Sequence, residues 1–78
     1  MNTEKLIRMK LRTDITVKIG LLQDVDSGSV VFNNELETIN NLLETLRYYS
    51  IDRDFAEFMD SIQSLYYPAL CKYLRNES

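Results

Sequence analysis

Seventy-eight residues make one small domain, and an apolar content of 45% supplies enough material for a core. A net charge of −3, a single cysteine and no histidine exclude an intramolecular disulfide and the commonest zinc sites. No stretch approaches the ~18 apolar residues of a membrane span, and the charged start of the chain carries no continuous apolar signal-peptide segment.

A domain of this size buries only about 60% of the surface that its unfolded chain exposes. Small domains therefore need a staple, and neither a disulfide nor a histidine-based metal site is open to this one. Burial between two copies remains, so a homodimer is expected. The lone Cys71 fits a reducing compartment, and the expected location is cytoplasmic. Charge is unevenly spread. Residues 1–22 hold five basic and two acidic side chains, and residues 23–78 hold four and ten.

Residues 5–22 read as strand. Ile7, Met9, Leu11, Ile15, Val17, Ile19 and Leu21 occupy odd positions, and only Leu6 and Leu22 are apolar at even ones. That is the two-residue period of a half-buried strand, and Ile15, Thr16, Val17 and Ile19 are β-branched. A helical reading also exists through Leu11, Ile15, Ile19 and Leu22. It places Asp14 and Lys18 inside the apolar arc and Gly20 in a helix interior, so strand is preferred. Asp24 to Ser29 is a turn, and Val30-Val31-Phe32 reads as a short return strand. Asn34 with Glu37 resembles a capping box opening a helix that runs to Tyr49 or Ser50 along Leu36, Ile39, Leu43 and Leu46. Asp52 caps a last helix whose apolar face runs from Phe55 to Tyr73. Pro68 should kink or restart it, and Asn76 to Ser78 should fray. The expected fold is α+β: an N-terminal strand or hairpin packed on two longer helices, with an all-α bundle as the alternative.

Catalytic, cofactor and metal sites are not expected. No histidine can serve as base for a serine or for Cys71, which should be a buried, inert thiol on the last helix. Asp54, Glu57 and Asp60 fall off the apolar stripe and should sit in water. Two glycines cannot build a phosphate cradle. Asp24, Asp26 and Glu35 match the first, third and twelfth places of a calcium loop, but Ser29 stands where glycine belongs and Phe32 where an oxygen belongs.

On a strand, Arg8, Lys10, Arg12 and Lys18 would share one basic face, suited to a phosphate backbone. Tyr48-Tyr49 and Tyr66-Tyr67 are neighbours that a helix turns about 100° apart, so one of each pair should face outward. Tyr48 and Tyr67 are the expected partner contacts, together with Arg8, Lys10 and Arg12. The function expected is a small non-catalytic regulatory or inhibitory protein that binds another protein. Nucleic-acid binding through the basic ribbon is the rival, disfavoured by the overall acidity, and a structural subunit is a third reading. The sequence contains no motif that assigns a family.

Overall fold

A computed structural model describes residues 2–77. Among them the chain forms helices α1 (Thr3–Leu21), α2 (Val30–Tyr49) and α3 (Asp52–Glu77), with a single 3₁₀ turn over Leu22–Asp24 and no strand. The expected α+β architecture is therefore corrected to an all-helical bundle. α1 runs through the expected strand, and Val30-Val31-Phe32 form the first turn of α2 rather than a return strand.

The core explains the correction. Leu11, Ile15, Ile19 and Leu22 are buried, and they recur at the three- and four-residue spacing of one helix face. They pack with Phe32, Leu36, Ile39, Leu43 and Leu46 of α2 and with Ile62, Tyr66 and Ala69 of α3. The charges that argued against a helix are each partnered. Asp14 accepts from Lys10 one turn earlier at 3.2 Å, and Lys18 reaches Glu35 of α2 at 3.8 Å. Gly20 faces outward, where a side chain would meet open space.

Caps fix the element boundaries. The Asn2 side chain accepts from the backbone N–H groups of Glu4 and Lys5 and opens α1. Asp26 accepts from the Gly28 N–H within the turn, as its composition predicts. Ser29, not Asn34, caps α2: its hydroxyl accepts from the Phe32 N–H at 3.1 Å and donates to the Asp26 carbonyl. The end of α2 at Tyr49 and the start of α3 at Asp52 agree with the sequence pattern. A two-residue link between them folds α3 back against α2.

Two polar contacts seat α3. The Tyr66 hydroxyl donates to Asn40 Oδ1 at 2.7 Å, and the Tyr73 hydroxyl donates to Glu37 at 2.9 Å. Asn76 donates to the Ser27 carbonyl and to Asn33, so it is held rather than frayed. Ser78 lies outside the described residues. α3 continues past Pro68 without restarting. Cys71 is exposed, not buried as expected. Asp54, Glu57 and Asp60 are exposed, as their places off the stripe predict. Glu35, read as the last ligand of a calcium loop, lies inside α2 and faces Lys18.

Candidate functional site

A helix of 3.6 residues per turn rotates Arg8 and Lys10 about 200° apart, and Lys10 and Arg12 by the same angle. The basic ribbon expected of a strand is therefore broken up. Arg8 and Arg12 lie on one side of α1 and Lys10 on the other. Arg8 is half-buried and donates to the Tyr49 carbonyl at 3.0 Å, where it meets the negative end of α2. Arg8, Lys10 and Lys18 are all engaged within the chain.

The tyrosines divide as predicted. Tyr66 is buried and Tyr49 half-buried, while Tyr48 is 84% exposed and Tyr67 51% exposed. Tyr48 stands on Tyr49 edge to face, their ring centres 5.1 Å apart. The two exposed rings do not form one patch. Tyr48 lies beside the α2–α3 link, and Tyr67 is fifteen residues into α3, about 22 Å along it.

The face that stands out is one the sequence reading did not name. Leu6, Met9, Thr13, Val17 and Gly20 line the side of α1 opposite the core. Leu6, Met9 and Val17 are 47%, 50% and 53% exposed, and adjoining Leu21 is 62% exposed. One charge lies within this band: Lys10, one turn on from Leu6, which pairs with Asp14 at 3.2 Å. The hydroxyls of Thr13 and Thr16 donate back to the carbonyls of Met9 and Arg12, so both polar tips are satisfied within the helix.

The stripe continues past the end of α1. Lys18, Leu21, Leu22, Val25, Val31 and Glu35 line a hollow of about 190 Å³ between α1 and the start of α2. Val30 and Val31 are exposed beside it. Isolated surface leucines and valines need no explanation, whereas those of α1 lie together along one helix.

Chemistry elsewhere is sparse. A groove of about 290 Å³ between α2 and α3 is lined by Asn40, Leu43, Glu44, Arg47, Phe55, Met59 and Tyr66. Within it the Tyr66 phenol is raised above its ordinary value by burial and, less strongly, by Tyr67. A phenol raised in this way stays protonated and keeps its bond to Asn40. Among the described residues no cluster of three or more acidic or thiol groups could hold a metal ion. No helix among them is long and apolar enough to cross a membrane. Compared with known proteins, the chain matches no family model, no curated protein and no solved structure.

Proposed function

We propose that the chain is a small non-catalytic protein that acts, as a regulator or inhibitor, by binding protein through the outer face of α1. The observation that carries this reading is the largely apolar band from Leu6 to Leu21, which includes Lys10 and is exposed on a helix whose opposite face already fills the core. Leaving that band in water forgoes roughly 25 cal/mol for each Å² of apolar surface that a partner would cover. A cytoplasmic or other reducing setting suits the single exposed thiol at Cys71.

Tyr48 and Tyr67 stay in this reading as outlying contacts for a large partner, not as its centre. The nucleic-acid reading loses its main support, because it needs Arg8, Lys10 and Arg12 on one face.

In-cell photo-cross-linking tests the proposal. A photoreactive residue is placed at Val17, and a second version carries it at Gln63 on the exposed side of α3. The expected result is a discrete protein adduct from position 17 and none from position 63. No adduct at 17, or equal capture at both positions, contradicts it.

A further inference from the structure

We infer that the occupant of this face is a second copy of the chain, packed with its own α1 antiparallel across Thr13. The inference rests on the reading that the outer face of α1 binds protein, and it names the partner.

Three features make the face complementary to itself under a two-fold rotation. The first is shape. An antiparallel crossing at Thr13 carries Leu6, seven residues to one side, over the Gly20 and Leu21 region of the partner subunit, seven and eight residues to the other. Gly20 presents no side chain, and anything placed there meets open space. Each chain thus offers one apolar knob, Leu6, and one seat without a side chain, Gly20, at matching distances from the crossing point.

The second feature is charge. Lys10 and Asp14 sit on one margin of the stripe and pair with each other within α1 at 3.2 Å. In the antiparallel arrangement Lys10 of each chain lies within side-chain reach of the partner's Asp14, so the pair can be exchanged across the two-fold at two places. Lys5 and Arg12 lie along the opposite margin, where Arg12 borders the same face with Thr13, Thr16 and Val17. A partner read by acidity alone would gain little from Lys10, which Asp14 already neutralises.

The third feature is need. The core of 12 buried apolar side chains belongs to a chain with no disulfide, and the half of α3 before Ile62 has no buried residue. Association would cover the apolar residues that α1 leaves in water. An isologous pair also closes on itself at two copies, whereas packing α1 against another face would build rings or filaments.

Sedimentation equilibrium of the full chain, from roughly 1 to 500 µM, tests the inference. Four variants accompany the wild type: Val17→Lys, Lys10→Asp, Asp14→Lys and the Lys10→Asp/Asp14→Lys double exchange. All three positions are on the surface of α1, and circular dichroism checks that each variant remains helical. The wild type is expected to dimerise. Val17→Lys should weaken the dimer about 100-fold, by placing unpaired charge in an apolar contact. Each single charge reversal should weaken it about tenfold, and the double exchange should return it to within about threefold of wild type.

A wild type that stays monomeric throughout, or a dimer indifferent to Val17→Lys, overturns the inference. A dimer lost in Val17→Lys but not recovered by the double exchange overturns the antiparallel register. The underlying reading fails separately. Monomeric protein whose position 17 still cross-links to a different protein keeps the binding face and removes the second copy, while monomeric protein with no cross-link removes both.

Discussion

α1 and α2 are nearly the same length, 19 and 20 residues, and both give one face to the same core. Their outer faces differ. On α2 the side away from the core carries Asn34, Glu37, Thr38, Asn41, Glu44 and Thr45, with exposed Val30 and Tyr48 only at its two ends. On α1 it carries Leu6, Met9, Lys10, Thr13, Val17 and Gly20. Folding the monomer requires only one apolar face per helix. The second apolar face of α1 is the basis for proposing it as a binding surface.

The sharpest way to break this comparison is to cut both faces of α1 and measure monomer stability by urea unfolding of dilute protein. Ile15 is fully buried, and Ile15→Ala should cost on the order of 2–5 kcal/mol. Val17→Ala, two residues away on the other face, should change it by less than about 0.5 kcal/mol. Comparable losses at both sites would mean that the outer face belongs to the fold.

A smaller loss is expected where α1 and α2 meet at their ends. Arg8→Ala removes the charged donor to the Tyr49 carbonyl and should cost about 1 kcal/mol. A neutral result would return Arg8 to the pool of side chains free to contact a ligand. The loss should also be insensitive to added nucleic acid.

Tyr66→Phe probes the contact of α3 with α2 through pH. Burial first, and Tyr67 second, hold the Tyr66 phenol above its ordinary value near 10. The unfolded chain therefore releases this proton at lower pH than the folded one. The stability that Tyr66 contributes is full below about pH 10 and is lost as pH rises through its raised folded value. Tyr66→Phe should cost about 1 kcal/mol at neutral pH and flatten the alkaline decline. An unchanged alkaline limb would contradict the assignment to this hydroxyl.

The smallest effect on stability, and the one that separates the two helices most cleanly, comes from paired surface substitutions. Thr13→Lys and Thr45→Lys each replace an exposed threonine whose hydroxyl bonds only its own helix. Both should leave monomer stability within about 0.5 kcal/mol. Only Thr13→Lys, which puts like charges at the two-fold, should abolish association.

The same doubling of apolar faces explains why α1 was not legible as a helix. Ile7, Leu11, Ile15 and Ile19 step by four along the inner face. Met9, Thr13, Val17 and Leu21 step by four along the outer one. The two rows are offset by two residues, which a helix rotates by about 200°. Interleaved in the sequence, they place apolar residues at nearly every odd position and imitate the period of a strand. α2 and α3 each have one dominant apolar face, and their extents past Glu37 and from Asp52 onward were legible for that reason. The start of α2 was missed because Val30 and Val31 resemble strand, while the decisive cap is the Ser29 hydroxyl, a cue that one serine in a Ser-Gly-Ser turn does not distinguish. The site was hidden by the same error: reading residues 5–22 as strand gathered the cations onto one face and put both apolar rows onto the other. Tyr48 and Tyr67 were correctly read as outward-facing, because the 100° step between neighbours holds wherever the helix is sound.

The most direct measurement is a dilution series followed by amide chemical shifts, residue by residue. If α1 has one face for the core and one for a second copy, shifts between high and low concentration should cluster at Leu6, Thr13, Val17, Gly20 and Leu21, with Thr38, Asn41 and Thr45 of α2 unmoved. A spectrum that does not change with concentration, or changes centred on α2 or on Tyr48 and Tyr67, would contradict that account.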